Sequence, residues 1–218
     1  IDKTHAEFDG KTIYGQDFAS SGTGYGFDEN GHGSHVASII AGDRDASGMR
    51  GVAYDATLFD YKTDNDGDSG LEAISSDSAI ASIFNQHVTD NINVSNNSWG
   101  LGSSITGYSA ATLRASFPNT ISALTAAKNN GTLLVFAAGN DSNAEVDYAG
   151  GLPYRISELA NEWLVVGAVS TSGVEASFNN RCGVAKAFCV VAPGVNIYAA
   201  QANGTYTTMS GTSMAAPH

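Results

Sequence analysis

Two stretches, residues 132–138 and 164–169, are apolar at nearly every position. A strand wetted on one side alternates apolar and polar residues, so a strand-length run without alternation needs cover on both faces. That requirement points to a parallel sheet packed between layers of helix. The flanking sequence supplies the helices. Val36, Ile39 and Ile40 fall at i, i+3 and i+4 of a helix starting near His32, with Gly42 as its stop. Residues 71–88 look helical, with Leu71, Ile74, Ile80, Ile83 and Phe84 as the apolar positions. A further helical region spans 110–130, interrupted at Pro118 and ended by Gly131. Strand-like segments lie at 52–62, 92–96, 189–192, 196–199 and 205–209, while residues 1–27 are polar and Gly-rich and read as loops. No linker or repeat divides the chain. The expectation is one α/β domain over residues 1–218, with a mainly parallel central sheet covered on both faces.

At 218 residues, with 42% hydrophobic and 15% charged residues, the chain can bury a sizeable core. A formal net charge of −12 argues against nucleic acid or an anionic membrane as partner. No apolar run approaches the length of a membrane span. The sequence does not begin with Met, so the absence of a signal peptide says nothing about destination. Cys182 and Cys189 have six residues between them, which is no zinc signature. They read either as two buried thiols or as a local disulfide. The disulfide would contribute about 2.5 kcal/mol in the chain-entropy model and would imply an oxidising compartment. Asp64, Asp66 and Asp68 alternate as in a calcium loop, but the Gly positions are wrong and Ser75 stands where Glu is needed. A solvated acidic loop is the expectation, with no metal site and no cofactor.

Chemistry concentrates in Gly211-Thr212-Ser213-Met214-Ala215-Ala216-Pro217-His218. A serine between a Gly-Thr turn and small residues that begin a helix would face orphan N–H groups at its own helix start. Ser213 is therefore the candidate nucleophile, and His32, at another helix start, the candidate general base. Asn140 ends an apolar strand at Ala137-Ala138-Gly139-Asn140, the edge of a parallel sheet where ligands bind.

His32-Gly33-Ser34-His35-Val36-Ala37, Ala137-Ala138-Gly139-Asn140 and the Gly211–His218 block together resemble three motif blocks of subtilisin-like serine peptidases, in that family's order. The resemblance implies a three-layer subtilisin-like fold, truncated at both ends, and a serine endopeptidase acting on polypeptides. It implies Ser213 as nucleophile, His32 as general base and acid, and Asn140 as side-chain oxyanion donor. It places Ser98, Trp99 and Gly100 opposite Ala137, Ala138 and Gly139 as walls of the pocket for the residue before the cleaved bond. Gly70, Leu71 and Glu72 match the edge on which substrate lies as an added strand. His35 is structural by the same likeness, and His5, His87 and His218 have no sequence partners.

Asn96-Asn97-Ser98-Trp99-Gly100 and Asn180-Arg181-Cys182 with Cys189 further resemble the peptidase domains of bacterial autotransporters. An extracellular or cell-surface location and a monomeric enzyme are the matching expectations. The family's third catalytic residue is an Asp in an Asp-Ser/Thr-Gly turn that would precede Ile1; Asp2 is not given that role. The segment alone is therefore expected to have little activity. Two other readings stay open: an inactive peptide-binding relative, and an esterase. The nucleophile motif of the latter needs Gly where Ala215 stands and Ser before His.

Overall fold

A computed structural model of the chain describes residues 1–19, 24–63, 76–100 and 102–218. Strands β3 (Val94–Asn97), β4 (Leu133–Ala137), β5 (Trp163–Val169) and β6 (Cys189–Pro193) form a wholly parallel sheet in that spatial order. The two apolar runs are its central pair, β4 and β5. Their residues alternate between two cores. Leu134, Phe136, Trp163 and Val165 face a cluster with Ile80 and Phe84 of helix α2 (Asp77–Thr89) and Ile121 and Leu124 of α4 (Pro118–Asn129). Val135, Val166 and Ala168 face the opposite cluster, with Ala215. Each fully buried side chain of the Leu134 or Phe136 kind contributes about 1.5–3 kcal/mol. The strands are apolar throughout because both faces are covered.

Helix ends lie where local chemistry puts them. Pro118 opens α4 at a position whose N–H would have no helical partner, so α3 (Ala110–Ser116) and α4 are separate. Phe117 cannot cap α4 with its side chain. Asp77 does so from the neighbouring helix, its carboxylate accepting from Asn119 N at 3.0 Å and Thr120 N at 2.8 Å. Ser76 caps α2 itself by accepting from Ala79 N.

Two expectations change. Residues 13–17, read as loop, form strand β1 (Ile13–Asp17), parallel to β2 (Leu58–Lys62). Gly and Asp disfavour strands, but Ile13 packs against Phe8 and Leu58, and tertiary burial overrides the propensity. Gly15 permits the close pairing: a Cβ there would lie 2.0 Å from the Asp60 carbonyl oxygen. The strand read over 52–62 begins only at Leu58. Before it, Val52 N and Ala53 N donate to the Ile39 and Ile40 carbonyls, satisfying the end of helix α1 (His32–Ala41) instead of a sheet. Strands β7 (Ile197–Gln201) and β8 (Thr205–Met209) form an antiparallel hairpin. It leads into α5's successor, the short α6 (Thr212–Ala215); α5 itself spans Tyr148–Gly151. The topology thus sets the carboxyl ends of β3 and β4 side by side, next to the start of α6.

Candidate active site

His32 is the first residue of α1, and the residue before it, Gly31, offers no side chain to cap the helix. Asp28 takes that role. Its Oδ1 accepts from Asn30 N (3.1 Å) and Gly31 N (2.7 Å), and its Oδ2 from Ser34 N (2.8 Å) and Ser34 Oγ (2.6 Å). Ser34 Oγ in turn accepts from Asp2 N at 2.7 Å, tying the helix start to the beginning of the chain. Burial pushes the Asp28 pKa up, while the hydrogen bonds from Ser34 and Gly31 pull it down. Burial holds the His32 ring below its own ordinary value, and the Asp28 charge pulls the other way. The net shift favours neutral imidazole, the form that can accept a proton.

Asp2 is buried and engaged elsewhere: Oδ1 accepts from Thr4 N and Thr4 Oγ1, and Oδ2 from Asn203 N. Neither Asp2 nor Asp28 presents its carboxylate to the His32 ring by any hydrogen bond among the described residues.

Ser213 lies half-buried in the first turn of α6. Its Oγ donates to the Ser98 carbonyl at 3.1 Å, while Ser98 Oγ donates to the Ser213 carbonyl at 2.8 Å. Asn140 lies just past β4. Its Oδ1 accepts from Thr212 N at 2.8 Å and from Thr212 Oγ1 at 3.0 Å, which fixes the amide orientation. Nδ2 is then left for another acceptor. A Cβ at Gly211 would stand 3.6 Å from Asn140 Nδ2 and 3.7 Å from Ser213 N, so both nitrogens lie near one point beside Ser213. Thr212 is a positioning side chain that sequence reasoning passed over; only its contact with Asn140, 72 residues away, reveals it.

A cavity of about 1290 Å³ is lined by His32, Asn140, Ser213, Ser98, Trp99 and Gly100, and extends past them along α1, β2 and one face of the sheet from β3 to β6. Trp99 is half-buried and meets Phe136 edge-on at 5.5 Å. Ala137 and Ala138 are packed inside, at 5% and 0% exposure, whereas Gly139 is half-buried and donates its N–H to Thr212 Oγ1. Beneath Gly100 the buried Asp147 carboxylate accepts from Gly102 N and Ala149 N. Gly70, Leu71 and Glu72, and the Asp64–Asp66–Asp68 series, lie outside the described residues.

Cys182 and Cys189 form a disulfide, their Cα atoms 5.8 Å apart. The remaining histidines hold structure. His35 Nε2 meets the Ile197 carbonyl, His87 bridges the Ile83 carbonyl and Ser95 Oγ, His5 reaches the Thr205 carbonyl, and His218 the Met214 carbonyl. No helix of the described residues is long and apolar enough to cross a membrane.

A parallel sheet with α2 and α4 on one face and α6 on the other, with Ser213 and Asn140 at the strand ends and His32 lining the same cavity, fits the subtilisin-like α/β architecture. Residues 1–218 match the Subtilase family, and the chain belongs to it. Subtilisin DY of Bacillus licheniformis is 33% identical over 208 residues, 95% of this chain and 67% of that protein. The extracellular serine protease of Serratia marcescens is 28% identical over 280 residues, 99% of this chain but 26% of the relative. A cold-adapted subtilisin-like serine proteinase of known crystal structure superposes with a TM-score of 0.73 at 27% identity, covering 100% of this chain and 68% of its own. The chain thus spans from about a quarter to two thirds of these proteins.

Proposed function

We propose that this chain forms most of the active site of a secreted serine endopeptidase. In this reading Ser213 Oγ leaves the Ser98 carbonyl, gives its proton to His32, and attacks the scissile carbonyl carbon. The oxygen becomes negative and takes hydrogen bonds from Asn140 Nδ2 and Ser213 N–H. His32 then passes the proton to the leaving amine, leaving an acyl-enzyme that water hydrolyses by the same steps in reverse. The carboxylate that orients His32 is assigned, by the family resemblance, to an Asp-Ser/Thr-Gly turn ahead of Ile1.

The observation that carries the reading is the pair of donors, Asn140 Nδ2 and Ser213 N, 3.6 and 3.7 Å from one point over Gly211. Substrate would enter as an extended strand, with the residue before the cleaved bond against Trp99. The buried Asp147 carboxylate near Gly100 is turned to the backbone N–H groups of Gly102 and Ala149, and an uncharged, fairly large apolar side chain is the preferred occupant. The disulfide and the extracellular relative support an extracellular location for the monomeric enzyme.

A second reading, an inactive peptide-binding domain, draws on the Ser213 hydroxyl resting on Ser98 instead of His32. The natural full-length protein and its S213A variant, given a peptide library, separate the two. Cleavage after large apolar residues, absent in S213A, is expected. Binding without cleavage would favour the second reading, and cleavage mainly after Lys or Arg would refute the pocket assignment.

A further inference from the structure

Asn140 sits in a loop, residues 139–143, whose backbone departs from ordinary conformations on either side of it: φ is 105° at Gly139 and 57° at Ser142. A left-handed serine persists only where surrounding structure imposes it. Here the constraint comes from residues 177–181. Ser142 N donates to the Phe178 carbonyl at 2.9 Å and Ser142 Oγ to the Ser177 carbonyl at 2.8 Å, while Arg181 N donates to the Asn143 carbonyl at 2.9 Å.

At the centre is Asn180, 1% exposed. Its Oδ1 accepts from Asp141 N and Asn143 N, each at 2.9 Å, and its own N–H donates to the Gly139 carbonyl at 3.0 Å. Both chain neighbours of Asn140 are thus bonded to one buried side chain or its backbone. The contact is close enough that a Cβ at Gly139 would lie 2.2 Å from Asn180 Nδ2. Thr212 fixes the carboxamide of Asn140, but nothing in that contact fixes where the Asn140 backbone sits. The segment bearing Asn180 is itself secured by the disulfide that starts at Cys182.

We propose that Asn180 is a positioning residue for catalysis, holding the loop so that the Asn140 amide meets the developing oxyanion at the right distance. The inference rests on the reading of Asn140 as oxyanion donor. Such a donor acts only at the transition state, so displacing it lowers kcat and leaves KM nearly alone. A residue needed only for folding would lower the melting temperature and the amount of active enzyme, with no special dependence on Asn140.

The test is a double-mutant cycle on Asn180→Ala and Asn140→Ala in the natural full-length protein, with active sites titrated and melting temperatures recorded. Misplacement by about 1 Å can cost up to about 10²-fold in rate, so N180A is expected to lower kcat by roughly tenfold or more, with KM within about twofold. On the N140A background the same change should lower kcat by no more than about twofold. Full multiplication of the two losses overturns the proposal. If N140A itself leaves kcat intact, the oxyanion assignment fails first, and this inference falls with it. Should N180A give no soluble protein, Asn180→Ser, whose shorter oxygen cannot span both N–H groups, enters the same cycle with the same expectation.

Discussion

Ser98 and Ser213, 115 residues apart, exchange two hydrogen bonds: each hydroxyl donates to the other's backbone carbonyl. The exchange fastens the end of β3 to the first turn of α6. It also occupies the Ser213 proton, which in the proposed mechanism leaves the Ser98 carbonyl before passing to His32.

Gly211 carries the sharpest steric prediction. Its backbone is extended (φ 166°, ψ 161°), a conformation open to any residue. A methyl group there meets Asn140 Nδ2, Ser213 N and Met214 Sδ at 3.6–3.7 Å, ordinary contact distances. G211A should fold, with a melting temperature within a few degrees of wild type. Its methyl would stand beside both donors, so kcat/KM should fall by about 10²-fold, a magnitude taken over from loss of the side-chain donor in subtilisin. Wild-type turnover in G211A would show that the oxyanion lies elsewhere.

Asp28 couples stability and pH. In Asp28→Asn the charge that raises the His32 pKa is gone, so burial is left less opposed and the pKa falls further. The acidic limb of kcat/KM should move to lower pH. The folded protein also loses charged acceptors at the start of α1, at a cost of about 1–3 kcal/mol. The hydrogen bonds from Ser34 and Gly31 favour the charged carboxylate of Asp28, so their contribution is full above the ordinary carboxylate range. It is lost as pH falls through about 4 and below. Denaturation of both forms across pH should show the gap closing in acid. An acidic limb that moves upward in D28N would contradict the account.

Much of this was legible in the sequence where the signal is local. The unbroken apolar runs could only be doubly covered strands, and Pro118 marked the break between two helices. His32 and Ser213 stand at helix starts inside short motifs, and Asn140 at a strand end, so each could be singled out without coordinates. What stayed hidden depends on distant partners. β1 becomes a strand only because β2 lies beside it, and residues 52–57 lose theirs to the carbonyls of α1. Asn180 and Thr212 carry no local mark of their hold on Asn140. The two-way choice at Cys182 and Cys189 was left open by spacing alone, since six residues can close a loop or leave both thiols buried.

That disulfide has measurable weight. Removing it as C182S/C189S should cost about 2.5 kcal/mol in the chain-entropy model, or roughly 5–10 °C for a protein of this size. Native material should weigh two hydrogens less than reduced material by intact mass. Two freely alkylated thiols in unreduced protein would remove the disulfide and the main support for an oxidising location.

The central claim is that Ser213 is a nucleophile activated by His32. Its most direct measurement is labelling of the natural full-length protein with a fluorophosphonate, followed by peptide mass spectrometry. The account predicts one adduct, on Ser213, absent in S213A and strongly slowed in H32A, with casein hydrolysis lost in parallel. An adduct on another residue, or labelling of Ser213 at an undiminished rate in H32A, would contradict it.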